Sequence, residues 1–437
     1  MMWIEKVVEG LSQNNKVFAE SFGEVQQIQG QIVISKGPIC SVGDICVIGE
    51  SQTKFEVVAL EEQSVHMLPL ELGERIRIGD RVYRLEENQI TIPHHDELLG
   101  WSLNGIAKFL DEEKEELRNR EKEEILVLAK EAPHAMKRKR IDTPVKTGVK
   151  AIDSMLTLGE GQRMGIFAGS GVGKSTLLGM LAKQTEVDVN VIALIGERGR
   201  EVREFIEESL GEEGMRRSVL IVATSDELPL MQIKAAQVAT AIAEKFRDDG
   251  KRVLLMMDSV TRFMLAVKQV DISIGKFEMG GRTPSMELMT QQLLERAGMG
   301  QIGSITGLYT VLVSGDDMNG AIADIARGIL DGHMILDRKL AMINHYPAID
   351  VLMSKSRVME FVTSQEHKES AESALKYLGI YAEYKDMIQF GDYKPGKNSE
   401  LDAAVFLYPK IQEFLRQGRN NPVSFEEVVE ELKGFVV

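Results

Sequence analysis

The segment Ala168-Gly-Ser-Gly-Val-Gly-Lys-Ser175 constrains this chain more than any other. It follows the apolar run Met164 to Phe167 and leads into an amphipathic helical pattern. A strand, a glycine-rich loop and a helix in that order make a cradle for phosphate. Gly169, Gly171 and Gly173 permit the tight backbone that aims several N–H groups at one point. The helix expected to start near Lys174 adds the positive end of its dipole. Lys174 is placed to reach the β- and γ-phosphates of ATP, and Ser175 to ligate Mg²⁺ through its hydroxyl. Ser170, Val172 and Thr176 complete the expected nucleotide-binding set. The strict form of the loop opens on glycine where this chain has Ala168, a position that only begins the turn.

Two further carboxylates turn binding into hydrolysis. Asp258 ends the apolar run Val253 to Met257, where it can hold the water shell of Mg²⁺. Glu197 follows the run Val191 to Ile195, inside Gly196-Glu-Arg-Gly-Arg-Glu201. Attack on a γ-phosphate needs an oriented water, and a carboxylate there can accept its proton or polarise it. Arg198 and Arg262 are candidates either for the γ-phosphate or for surface ion pairs. Glu201 is a candidate for a Mg²⁺-bound water or, equally, for an exposed face.

The remainder of the chain bounds the class. At 437 residues it exceeds one compact core and implies two or three domains. Apolar runs stop short of a membrane helix, and Met1 to Glu5 lacks the pattern of a secretory signal. Cys40 and Cys46 are too few to staple such a chain, which fits a reduced cytoplasmic setting. A net charge of −15 argues against nucleic acid or an anionic membrane surface as the main partner. His94-His95 lacks the ligand spacing of a zinc site.

Three regions follow. Gly23 to Leu85 holds short β-rich runs broken by glycine turns, as in Gln31–Ile34, Gly43–Ile48, Phe55–Ala59 and Arg81–Arg84, which suggests a small barrel or sandwich. Arg163 to Ile349 alternates apolar strands with helices such as Met231–Arg247, the layout of a parallel α/β sheet. After Arg357 the chain turns helical, and Ser424-Phe-Glu-Glu427 carries a helix-start signal. The expected divisions are 1–92 (β-barrel), 93–358 (P-loop α/β ATPase core) and 359–437 (helical). Opposite charges from Asp111 to Glu124 predict a solvated helix. Lys137-Arg-Lys-Arg140 reads as a basic surface near the nucleotide domain.

Gly196-Glu-Arg-Gly-Arg-Glu-Val-Arg-Glu-Phe205 resembles the signature of the flagellar and type III secretion ATPases, relatives of the catalytic subunits of rotary ATP synthases. The Gly199-Arg-Glu-Val202 continuation favours the export branch. Gly148–Asp153, Gly159–Arg163, Ala223–Glu227, Asp258–Arg262, Leu294–Gly298 and Ile329–His333 resemble the same family. The resemblance implies an N-terminal β-barrel, a RecA-like core and a C-terminal helical domain, assembled as a homohexamer with ATP between subunits. It implies that Tyr346 lies against adenine and that Arg357 reaches into a neighbour's site as an arginine finger. By sequence alone, Tyr346 is also compatible with a packed aromatic and Arg357 with a structural ion pair. Further implied partners are a stator-like regulator, a central stalk protein, an export gate and chaperone–substrate complexes. The implied location is cytoplasmic, peripheral to the inner face of the membrane.

The chain departs from the family pattern at Gly275–Ser285 and after Asp316-Asp-Met-Asn319, where Gly320-Ala321 replaces an acidic-proline pair. These loops bear on pore contacts, not on phosphate chemistry. The arm before the barrel is short, so a regulator that binds there would have a reduced contact. Three rival readings remain at this level: a rotary synthase-type catalytic subunit, an RNA-translocating ring helicase and a non-catalytic ring subunit. An aromatic content of 6% and a non-basic Gly23–Leu85 disfavour the helicase. Lys174, Glu197 and Asp258 disfavour the inert subunit.

Overall fold

A computed structural model describes residues 22–49, 53–62, 64–73, 75–85, 89–116, 123–313, 315, 317–318 and 320–436. The arm before Phe22, the middle of the charge run, Asp316 and Asn319 lie outside them. The chain divides into two compact units: Met1–Asn88 with Ser273–Gly275, and the rest.

In the first unit, β1 (Phe22–Gln29), β2 (Ile32–Lys36), β3 (Ile45–Ile48), β4 (Lys54–Glu61), β5 (Ser64–Pro69) and β6 (Arg81–Arg84) close into an antiparallel barrel. Closure through β1–β6 pairing selects the barrel over the sandwich. Alternate residues point inward, and Val25, Val33, Cys46, Phe55, Val57, Met67 and Val82 fill the interior. Both cysteines are free thiols, and burial pushes Cys46 up to about 12.

The second unit begins with five short strands. These are β7 (Ile90–Ile92), β8 (Ser102–Leu103), β9 (Glu124–Leu126), β10 (Pro144–Val145) and β11 (Leu158–Gly159). β7 pairs with β9 and β10 with β11. The main sheet follows: β12 (Arg163–Ala168), β13 (Val189–Ile195), β14 (Ser218–Ala223), β15 (Arg252–Asp258), β16 (Gly298–Met299), β17 (Ser304–Leu312), β18 (Gly332–Leu336) and β19 (Ile349–Ser356). Its order is β19-β18-β12-β17-β15-β13-β14-β8, with β16 beside β17. All neighbours on that path are parallel except β18–β19. Every residue of β13 and β14 is buried, which explains their unbroken apolar runs.

The helix Pro229–Asp248 packs on β13, β14 and β15. The C-terminal helices Gln365–Glu383, Ser399–Leu415 and Phe425–Lys433 share one apolar cluster with the sheet, where Leu407, Ile411 and Phe414 join Ile166 and Met334. A capping box at Ser424 and Glu427 starts the last helix, as its sequence signal predicts. No helix among the described residues is long and apolar enough to cross a membrane.

The helix expected over Asp111–Glu124 is realised only at Glu112–Glu116 among the described residues. Glu124 instead opens β9, because Leu126 is buried and Lys245 Nζ holds the Glu124 carboxylate at 3.0 Å. Tertiary contact overrides the local charge pattern. Several stretches that carry the family resemblance hold the fold. Arg163 clamps Asp331 through Nε and Nη2 at 2.9 and 3.0 Å, and buried Arg296 pairs with buried Glu244 at 2.8 Å. In the basic run, Arg138 is committed to the backbone of Pro133 and Glu295.

Candidate active site

The phosphate loop emerges from the C-terminal end of β12 and runs into the helix Lys174–Gln184. Gly171 and Gly173 take φ values of +75° and +92°, a region that L side chains rarely adopt. A Cβ at Gly173 would also stand 3.2 Å from the Tyr346 ring. Two of the three expected glycines are thus required by geometry. Ser170, Ser175 and Thr176 are exposed at the loop.

The loop forms one wall of a cleft of about 770 Å³. Gly169, Ser170, Gly171, Gly173, Lys174, Ser175, Thr176, Glu197, Arg198, Glu201, Asp258, Arg262 and Tyr346 all line it. Val172 does not, since its side chain is 1% exposed and belongs to the apolar core. Only the Val172 backbone is left for phosphate.

Lys174 Nζ lies 2.6 Å from Asp258 Oδ1 and 3.1 Å from Glu197 Oε1. Burial alone would push Lys174 down, but the two carboxylates outweigh it and hold its pKa above the ordinary value. Glu197 shows the opposite balance. Burial and then the Asp258 charge push it up to about 7, against the pull of Lys174. Glu201 hydrogen-bonds Glu197, and that bond together with Arg198 holds its own carboxyl below the ordinary value. Glu201 also pairs with exposed Arg198 at 3.1 Å, the surface ion pair that is one of the two readings of Arg198.

Gly196 explains how Arg262 reaches the cleft. A Cβ on Gly196 would sit 2.7 Å from Arg262 Cγ, so the arginine stem lies over bare backbone. Tyr346 is 40% exposed and borders Gly173 and Thr176.

Arg357 is elsewhere. It is exposed, and its backbone N–H donates to Asp331 O, whose own N–H donates to Arg163 O. Arg163 begins β12, while the phosphate loop follows its end. Five strand steps separate the two, roughly 16 Å. Arg357 therefore stands at the opposite end of the strands from its own cleft.

Sequence reasoning missed two residues. Thr310 Oγ1 donates to Asp258 Oδ1 at 2.7 Å and is fully buried. Its signal was a hydroxyl within an otherwise apolar run. Arg338 lines the cleft and donates from Nη1 to Ser170 O at 3.0 Å. It follows Asp337, the N-cap of a short helix, and no motif marks it.

The donor set fits magnesium. Ser175 and Asp258 offer hard oxygen ligands beside a cationic loop. Among the described residues both hydrogen bonds to Asp258 fall on Oδ1, which leaves Oδ2 as a ligand.

Comparison with known proteins agrees with this geometry. Residues 148–356 match the nucleotide-binding domain of the ATP synthase alpha/beta family, and 363–434 match the type III secretion EscN ATPase C-terminal domain. The chain is 45% identical to the flagellum-specific ATP synthase of Bacillus subtilis, across 93% of each chain. It is 42% identical to the SPI-2 type 3 secretion system ATPase of Salmonella typhimurium, across 94% of each. The assembled ATPase EscN of enteropathogenic E. coli superposes with a TM-score of 0.90 at 41% identity, covering 95% of this chain and all of that one. A second structure, of EscN with its central stalk EscO, gives 0.87 at 41% identity with the same coverage. This chain belongs to the flagellar and type III secretion ATPases of the ATP synthase alpha/beta family, and it is an ATP-hydrolysing enzyme.

Proposed function

We propose that this chain is the Mg²⁺-dependent motor of a flagellar or type III protein export apparatus, active as a ring of six identical subunits. ATP hydrolysis would drive release of chaperones and the unfolding and export of their substrates. The observation that carries the reading is the division of the site. Lys174, Glu197 and Asp258 meet within one cleft, while Arg357 stands at the far end of the strands. That placement supports a finger that serves a neighbour's cleft.

Within the site, the loop N–H groups and Lys174 bind phosphate, Ser175 and Asp258 hold magnesium, and Tyr346 supports adenine. Magnesium supplies charge neutralisation of the phosphate oxygens. Glu197, poised near neutrality, orients water and takes its proton. Arg198 and Arg262 reach toward the γ-phosphate once nucleotide is present, and Glu201 steadies Glu197.

The three-part division at 1–92, 93–358 and 359–437 goes with this reading. So do a central stalk, a stator-like regulator, an export gate and chaperone–substrate complexes as partners. The place of action is the cytoplasmic face of the membrane, held there by those partners. EscN in complex with a stalk protein supports the stalk by analogy. The divergent loop presents Phe277 and Met279, 91% and 85% exposed, and is pinned by Lys276 to Asp271 at 2.9 Å and by Arg282 to Asp324 at 2.7 Å. We read it as this chain's own version of the substrate-handling loop.

The test follows ATPase activity against protein concentration together with particle mass. Specific activity is expected to rise as sixfold mass appears. Full activity in monomers would overturn the shared site.

A further inference from the structure

A cluster where the β7–β9 ribbon meets the end of the helix Pro229–Asp248 has no part in ATP chemistry. His94 and His95 follow β7, and Glu124 opens β9, its antiparallel partner. The ribbon brings all three together, with one ligand atom from each lying within 4.8 Å of the others. Glu124 Oε1 is 3.5 Å from His94 Nε2, and Oε2 is 3.6 Å from His95 Nδ1. The two imidazole rings stack at 4.4 Å.

We propose that His94, His95 and Glu124 form a zinc site. His95 carries the argument. Its residue is 3% exposed, and its Nδ1 is a buried atom with no hydrogen-bond partner. Its other nitrogen, Nε2, sits 2.8 Å from Asp249 Oδ2. The ring thus presents its unpartnered Nδ1 to the Glu124 carboxylate from inside the protein, and a cation between the two would satisfy both. His94 turns Nε2 toward the same carboxylate, 3.5 Å from Oε1. An outer carboxylate on the far nitrogen, as Asp249 supplies for His95, is the arrangement that orients a histidine ligand on zinc. Two imidazoles, one carboxylate and a water complete a tetrahedral shell.

Lys245 Nζ occupies Glu124 Oε2 at 3.0 Å, so the metal is held through Oε1. The adjacent histidines lack zinc spacing in the sequence because the third ligand arrives across the ribbon, and Asp249 follows the end of the helix Pro229–Asp248. Zinc here ties ribbon, histidine turn and helix at one point. Asp249 precedes β15, whereas Asp258 ends it, so the site stands clear of the nucleotide.

The test uses the full chain, stripped by chelator and returned to magnesium buffer without nucleotide. Zinc is titrated by calorimetry and cobalt by visible absorption. One zinc per chain is expected, with the strong cobalt absorption of a four-coordinate centre. His94→Ala and Glu124→Gln abolish both signals, and His94 is half-exposed, so that variant keeps its fold. Asp249→Asn weakens binding about 10–100-fold. A Cys40→Ser, Cys46→Ser double variant binds as before. The proposal is overturned if wild-type protein takes up less than one zinc per chain, or if zinc uptake survives in His94→Ala and Glu124→Gln.

Discussion

Lys174 Nζ stands 2.6 Å from Asp258 Oδ1, nearer than to any other carboxylate oxygen it pairs with. This ammonium is the counter-charge for buried Asp258 and reaches half-buried Glu197 as well.

Replacing that ammonium should therefore harm binding in two ways. Lys174→Ala removes a phosphate contact and leaves the Asp258 charge to repel the incoming anion. A charge-assisted hydrogen bond contributes about 1.5–3 kcal/mol, so ATP affinity should fall at least about 10–100-fold. Fluorescent nucleotide titration measures it, and wild-type affinity would refute the assignment of the loop.

Glu197→Gln separates chemistry from binding. The amide keeps the shape but cannot accept a proton, so kcat should fall about 10²- to 10⁴-fold with ATP still bound. The raised pKa also sets a sign for stability. Glu197 titrates near 7 in the folded chain and near the ordinary carboxyl value when unfolded. Between those values the folded state holds the extra proton, so Glu197 contributes stability at low pH that is lost as pH rises through 7. The Gln variant is thus expected to be more stable than wild type at pH 8, by about 1–3 kcal/mol, with the gap closing as pH falls from 7 toward the ordinary carboxyl value. A gap that does not depend on pH would exclude Glu197 as its source.

Thr310 tests a residue that no motif marked. Its hydroxyl donates to Asp258 Oδ1 at 2.7 Å from within β17. Thr310→Val keeps the shape and removes the bond, at about 1 kcal/mol. Asp258 should then hold magnesium less firmly. The magnesium concentration for half-maximal ATPase should rise several-fold, with kcat at saturating magnesium nearly unchanged. A loss of kcat that magnesium cannot restore would assign Thr310 a different role.

The loop, the strand-end acids and the buried strands were legible because each depends on local sequence. Gly171 and Gly173 need positive φ, and Asp258 follows a run apolar enough to be buried on both faces. What escaped depends on contacts between distant segments. Arg338 reaches Ser170 across the cleft, and Glu124 leaves a helix-like charge run because Lys245 and β7 claim it. Val172 faces the core although its neighbours face the cleft, a difference of side-chain direction that the loop pattern does not encode.

Arg357 gives the most demanding test, because its prediction concerns two chains. Its N–H is bonded to Asp331 and its guanidinium lies by Arg327 O at 3.4 Å, at the end of the strands where β12 begins. It cannot act on its own cleft without spanning the length of the strands. An arginine finger is typically worth about 10³–10⁵ in rate, or roughly 4–7 kcal/mol of barrier. Arg357→Ala should lose about that much turnover while binding ATP as wild type does. Glu197→Gln supplies an intact finger beside a dead cleft, and Arg357→Ala supplies an intact cleft without a finger. Mixed rings of the two contain seams where a sound Glu197 faces a sound Arg357. Activity should return in such mixtures, highest near equal proportions, where these seams are most frequent. Mass measurement must show mixed rings at each ratio. Rings that form and remain inactive at every ratio would mean that Arg357 does not work across the seam.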